Sequence, residues 1–219
     1  YPVLHRGGDG DGDIAKLYNI DLQGKLLGAV RDIDFLGNLN VKHGKRMNYA
    51  KTVLKMQNPY DYFQAGVLVL NTKAMREHYT IEQWLAYASN DEFIYNDQDV
   101  LNAHCEGNVL YLPWEWNVVH DCGGRVGNLF VQAPNDIYDA YMKSRNNPKI
   151  IHYAGFQKPW TDPDCDFASI YWKYARETPF YERLLKRVVK ANEPKIPEEA
   201  LRPKHERAVG EDNPIRKIV

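Results

Sequence analysis

The stretch from His152 to Trp160, HYAGFQKPW, gathers on one short turn an imidazole, a conformationally free glycine, an ammonium group and a rigid Pro-Trp pair. Neutral imidazole ligates divalent transition metals, glycine lets backbone approach a ligand closely, and lysine is a compact charge suited to phosphate. Together they suit a metal-bound diphosphate. Singly, each has a plainer reading as a core histidine, a turn glycine or a solvated lysine. A second set is NDQDVLN at 96–102, where Asp97 and Asp99 flank the neutral amide of Gln98. Carboxylates at a helix start are ordinary, because the helix dipole favours them. In the glycine-rich opening, Asp9 and Asp11 alternate with Asp13, a spacing that suits a hard cation. An EF-hand loop is excluded, since Ile14 stands where glycine is needed and Ile20 where a bidentate glutamate is needed.

The elements that must position these groups follow from pattern. Residues 149–151 read as a β segment that delivers His152 to a strand end, and LLGAVR at 26–31 reads as a buried strand that delivers Asp32. YFQAGVLVLN at 62–71 is a further strand, followed by one helix over 73–88. A helix capped by Asn96 or Asp97 runs to about Cys105, and 109–112 return as strand. Helical spacing recurs at 13–18, 134–144, 167–176 and 180–190, and this alternation predicts an α/β layered domain. The last helix sets Arg183, Lys186, Arg187 and Lys190 beside Phe180, Leu184, Leu185, Val188 and Val189, a pattern that allows peripheral attachment to anionic lipid. Prolines at 194, 197, 203 and 214 make the remainder a tail or strap.

A hydrophobic content of 44% over 219 residues is enough to bury a core for one domain with an appendage. The net charge of −1 supplies no global field for nucleic acid, and no apolar run approaches a membrane span. Cys105, Cys122 and Cys165 are widely spaced, which argues for reduced thiols and a cytoplasmic setting.

Three of these segments, YFQAGVLVLN, NDQDVLN and HYAGFQKPW, in this order and spacing, resemble glycosyltransferase family 8. The similarity extends over roughly 12–160, opening with GDIAKLY and LLGAVRD, and an ordered set of motifs is far more specific than any one of them. That family comprises retaining enzymes of the GT-A fold that use a nucleotide-sugar donor and usually manganese. The resemblance implies an α/β chain with a partial GT-A (nucleotide-diphospho-sugar transferase) fold, a mixed central sheet flanked by helices over 1–178, and a helical C-terminal appendage over 179–219. It implies that His152 ligates Mn2+ or Mg2+ and that Gly155 and Lys158 hold the donor diphosphate. By the same resemblance Asp97 hydrogen-bonds donor-sugar hydroxyls, Gln98 lies near the reacting anomeric carbon, and Asp99 supports them from the helix start as a further substrate-binding position. Asp32 matches a strand-end aspartate on the acceptor side. Gln64, where many relatives carry asparagine, and Ala65 beside it match positions at the donor sugar. The implied partners are a UDP-hexose donor and a glycan or glycolipid acceptor, at the cytoplasmic side of a membrane touched through 180–190.

One departure matters. The family carries an Asp-x-Asp pair that shares the metal with the histidine, and alignment on Gly12-Asp13-Ile14 puts those positions on His5 and Gly7, neither of which replaces a carboxylate. A shifted site at Asp9 and Asp11 is the alternative. A GT-A fold also opens with a nucleotide-binding βαβ portion, so the chain reads as truncated at its N-terminus. The expected reaction is transfer of glucose or galactose from UDP to a glycan or lipopolysaccharide-type acceptor with retention. The rival is a non-catalytic carbohydrate-binding or scaffolding remnant. Gln98, a neutral amide and poor nucleophile, would stabilise an oxocarbenium-like centre while the metal and Lys158 stabilise the departing diphosphate.

Overall fold

The computed structural model describes residues 2–4 and 13–193, so Asp9 and Asp11, the aligned His5 and Gly7, and the proline-rich segment from 194 lie outside the described residues. Along the chain, β1 (Pro2–Leu4) precedes α1 (Ile14–Tyr18), β2 (Leu27–Arg31), α2 (Ile33–Leu39) and α3 (Arg46–Thr52). Then come β3 (Phe63–Leu70), α4 (Thr72–His78), α5 (Ile81–Ala88), α6 (Asn96–Cys105), β4 (Val109–Tyr111), β5 (Val118–Val119) and the short α7 (Arg125–Asn128). The order closes with α8 (Asn135–Ser144), β6 (Ile150–His152), α9 (Ala168–Ala175) and α10 (Tyr181–Asn192).

The mixed sheet takes the form of two three-stranded sheets, ordered β3-β2-β4 and β1-β6-β5. In the first, β2 is central, antiparallel to β3 and parallel to β4. Its inward residues Leu27, Ala29 and Val30 are fully buried, as a strand covered on both faces requires. In the second, β6 runs antiparallel to β1 and parallel to β5. The principal core gathers Ile33 and Leu36 of α2, Tyr49, Tyr62, Val118, Phe130 and Tyr141, while a second core packs Val30 and Val67 of the first sheet with Ile150 of the second.

Register carries a functional consequence. Ala29 pairs with Leu68 and Arg31 with Phe63, so residues 64–67 of β3 lie opposite Val30 alone. This bulge swings Gln64, Ala65 and Gly66 off the ladder and into the cleft described below.

The helix expected over 73–88 is instead two. Tyr79 is extended at φ −135° and ψ 142°, and Thr80 starts α5 with a capping box to Gln83, so local capping overrides the continuous apolar spacing. Neither Asn96 nor Asp97 caps α6. The N-cap is Tyr95, without a side-chain cap, and the backbone N–H groups of Ile94 and Tyr95 donate to Asp99 Oδ2 from outside the helix at 2.8 and 2.7 Å.

Candidate functional site

Asp32 follows β2 and caps α2. Its Oδ1 accepts from the N–H groups of Asp34 and Phe35 at 3.0 and 3.1 Å, while Oδ2 accepts from Gln98 Nε2 at 2.9 Å. Burial, with the neighbouring Asp34 charge, pushes its pKa up to about 6 despite the three hydrogen bonds.

Gln98 is held by every polar atom of its amide. Nε2 donates to Asp32 and to the Tyr62 hydroxyl at 3.2 Å, and Oε1 accepts from Ala65 N–H at 2.9 Å. One helical turn on, Asn102 takes Phe63 N–H on Oδ1 and donates Nδ2 to Phe63 O and Gln98 O, clamping α6 to β3. Asp99 is fully buried, and its carboxylate accepts from Tyr49 Oη at 2.5 Å, Tyr62 Oη at 2.7 Å and two backbone N–H groups. Asp99, expected among the substrate-binding residues, is thereby corrected to a positioning role. A carboxylate with no exposed surface and four protein donors has nothing left for a sugar.

His152, at the end of β6, is 9% exposed and bonds through Nδ1 to Asn117 Oδ1 at 3.1 Å. Asn117 Nδ2 donates to Gln64 Oε1, which fixes Asn117 Oδ1 as the acceptor and leaves the lone pair of His152 on Nε2. Burial, aided by the positive Lys158 and Arg125 nearby, lowers its pKa to about 4, so the ring is neutral at physiological pH. Gly66 is required beside it, because a Cβ there would stand 2.2 Å from His152 Cε1 and 2.7 Å from Gln64 Oε1.

Two adjoining cavities bring these groups together. One, of about 350 Å³, is lined by Gln64, Ala65, Gly66, Asp97, Gln98 and His152, with Ile94, Tyr95 and Asn96. The other, of about 400 Å³, is lined by Asp32, Asp34, Phe35, Gln64, Tyr95, Gln98 and Gly155, with Val119, Arg125 and Ala154. Gln64, Tyr95 and Gln98 stand in both walls. Gly155, at φ 99°, could not carry a side chain, since a Cβ would meet Cys122 Sγ at 2.7 Å. Lys158 lines neither cavity. Its ammonium is folded onto the carbonyl oxygen of Tyr153 in the same turn, and burial lowers its pKa.

Sequence reasoning missed Tyr49, Tyr62, Asn102, Asn117 and Arg125. Arg125 bonds Asp34 Oδ2 at 2.5 Å and Ala154 O at 2.9 Å, joining the two walls of the larger cavity. Asn102 was within reach, because it follows Gln98 by one helical turn inside the same motif. Trp116 is buried, and Trp114 packs edge-on against Tyr141.

The profile of Glycosyl transferase family 8 matches residues 11–164. The chain belongs to that family. It is 26% identical over 155 residues to the lipopolysaccharide 1,2-glucosyltransferase of Escherichia coli K12, covering 68% of this chain and 40% of that protein. It is 27% identical over 170 residues to glycosyltransferase GlyF of Streptococcus pneumoniae, covering 74% and 34%. Among solved structures it superposes on the bifunctional glycosyltransferase WbbM with a TM-score of 0.72 and 29% identity, over 85% of this chain and 33% of WbbM. An active-site variant of LgtC gives a TM-score of 0.53 at 25% identity, over 85% and 59%. The family 8 fold of this chain is thus that of GT-A glycosyltransferases, and the chain spans less than half the length of these two curated relatives.

Proposed function

We propose that this family 8 chain carries the sugar-transfer cleft of a retaining hexosyltransferase that moves glucose or galactose from UDP to a glycan or lipopolysaccharide-type acceptor. The observation that carries the reading is that Gln98 stands at the junction of two cavities, one bearing Asp97 and His152 and the other Asp32 and Gly155. In this reading the donor sugar lies against Asp97, Gln64 and Ala65, and the acceptor hydroxyl lies against Asp32. The Gln98 amide faces the anomeric carbon as a fixed dipole and stabilises positive charge as the leaving group departs. Asp32, ionised above about pH 6, orients the acceptor hydroxyl as a hydrogen-bond acceptor.

A divalent cation would stabilise the diphosphate when bound. Here the neutral His152 suits it, but the described residues contain no group of three imidazole, thiolate or carboxylate ligands, so this donor set alone does not fit a metal centre. Lys158 would reach a diphosphate only by leaving the Tyr153 carbonyl, a rotation of one flexible side chain.

We further read 179–219 as an appendage beside the transferase domain. Among the described residues no helix is long and apolar enough to cross a membrane. The exposed Phe180, Leu185 and Val189 beside the cations of α10 support attachment to an anionic membrane surface from the cytoplasmic side. The scaffolding alternative draws on His5 and Gly7 standing where carboxylates are expected. Stereochemistry tests the proposal. With UDP-glucose or UDP-galactose, manganese and a glycan acceptor, the full-length protein should give an α-linked product by NMR, and a β-linked product would refute retention.

A further inference from the structure

A third cavity, of about 390 Å³, shares Ile94 with the smaller cavity and reaches the larger one through Arg46, which packs on the Phe35 and Tyr95 rings of its wall. Its wall includes Asn38, Lys45, Arg46, Asn48, Tyr49 and Ile94. Asn38 of its wall lies in the last turn of α2, six residues beyond the N-cap Asp32 and so about 9 Å from it along the helix axis at 1.5 Å per residue. That is roughly the reach of a second sugar ring or its substituent.

The charge there is one-sided. Lys42, His43, Lys45 and Arg46 fall within five residues, and among the described residues no carboxylate pairs with Lys42, Lys45 or Arg46. Arg46 is held by aromatic groups instead. Its guanidinium lies 5.3 Å from the Phe35 ring, 5.8 Å from Tyr49 and 4.8 Å from Tyr95, and it donates to Tyr95 Oη at 2.5 Å. Those rings fix the cation without neutralising it, because arene faces supply a quadrupole and no counter-charge. Phe35 and Tyr95 also line the cleft, so Arg46 stands one side chain behind the acceptor wall. The loop that presents it is tight, with Gly44 N–H donating to Val41 O at 2.8 Å and His43 at φ 60°.

The cleft itself is acidic on this side, with Asp32 and Asp34 opposed by Arg125 alone. An acceptor lying across both cavities is therefore sorted by charge, hydroxyl-rich at Asp32 and negative at Arg46. From this we infer that the cavity at Lys45 and Arg46 is an acceptor subsite for an anionic glycan, one carrying a phosphate or carboxylate about one sugar away from the reacting hydroxyl. The inference rests on the transferase reading of the cleft.

Binding tests it independently of turnover. The full-length protein is titrated with maltose, with its monophosphate ester and with inorganic phosphate, following amide shifts of residues 42–48, while UDP release from UDP-hexose is assayed separately. The phosphorylated sugar should bind about tenfold more tightly than either maltose or inorganic phosphate, the weight of one charge-assisted pair. The advantage should shrink at about 0.5 M salt, where screening is strong, and vanish in Lys45→Gln/Arg46→Gln. Lys45→Gln alone, at an exposed residue, reports the effect if the Arg46 change disturbs the aromatic cage. Equal binding of maltose and its ester, equal binding of inorganic phosphate and the ester, or an advantage that survives the double variant would each overturn the subsite. A protein that shows the phosphate preference but no UDP release would retain the subsite and lose the transferase reading.

Discussion

The Tyr62 hydroxyl donates to Asp99 Oδ1 at 2.7 Å and lies 3.2 Å from Gln98 Nε2. A hydroxyl has one proton, so a Tyr62 that gives it to Asp99 can only accept from Gln98. Asp99 thus dictates which way the Gln98 amide faces, with its NH2 toward Asp32 and Tyr62 and its carbonyl toward Ala65. The Phe35 ring, stacked on Tyr62 at 3.5 Å, holds the phenol in place.

Tyr62→Phe and Tyr49→Phe form a matched pair, because each removes one hydroxyl from the same buried carboxylate and only Tyr62 touches Gln98. Both should cost about 1.5–3 kcal/mol in urea unfolding, the worth of a hydrogen bond to a charged acceptor. In the full-length protein kcat should fall roughly tenfold more for Tyr62→Phe than for Tyr49→Phe, as misplacement of a reacting group predicts. Once Gln98 is alanine, Tyr62→Phe should cost little further activity, and a double-mutant cycle reads that coupling.

Asp99→Asn should be among the most destabilising changes in the chain, by about 3 kcal/mol or more in chemical denaturation. It turns an acceptor facing four donors into a group that brings two N–H of its own. A loss below about 1 kcal/mol would mean that the four bonds are not all made.

Gly66→Ala should displace the His152 ring. A Cβ at 2.2 Å from Cε1 cannot be accommodated without moving it, and Gln64 closes the other side. Overpacking of this kind costs about 1–3 kcal/mol. The Nδ1 bond to Asn117 should break, visible as an altered His152 imidazole resonance.

Asp32 makes the protein's stability pH-dependent in a defined window. Its folded pKa of about 6 exceeds the 3.8 of an unperturbed aspartate, so the folded state binds more protons between these values, and stability is greatest below about 4 and falls as pH rises to 6. The full term is at most about 3 kcal/mol. Asp32→Asn removes the repelled charge while asparagine still caps α2, so Tm measured from pH 4 to 7 should rise relative to wild type as pH increases.

Much of the fold was legible because its strands are apolar runs and its helices are strongly periodic, and residues 26–31, 62–71 and 96–105 lie within two residues of their observed bounds. What was not legible is tertiary. The break at Tyr79 rests on a capping box within a continuous apolar pattern, and α2 and α3 are short helices set by burial of Ile33, Leu36 and Ala50. In the site, the motif residues Asp32, Gln64, Asp97, Gln98, His152 and Gly155 do line adjoining cavities. Of their supports, Tyr62 opens one of the motifs, while Tyr49, Asn117 and Arg125 come from segments whose local sequence carries no signal, because a hydrogen-bond partner is chosen by packing across the fold. Asp99 illustrates the limit. Its neighbours Asp97 and Gln98 face the cleft, and one step along the helix turns it inward.

The most direct test is UDP release by the full-length protein from UDP-glucose and UDP-galactose with manganese and acceptor, for wild type, Gln98→Ala and His152→Ala. The account predicts measurable turnover in the wild type, a loss of at least about a hundredfold in Gln98→Ala, the scale of a preorganised transition-state contact, and a smaller loss in His152→Ala, which lines the donor cavity. Equal turnover in all three proteins would contradict it.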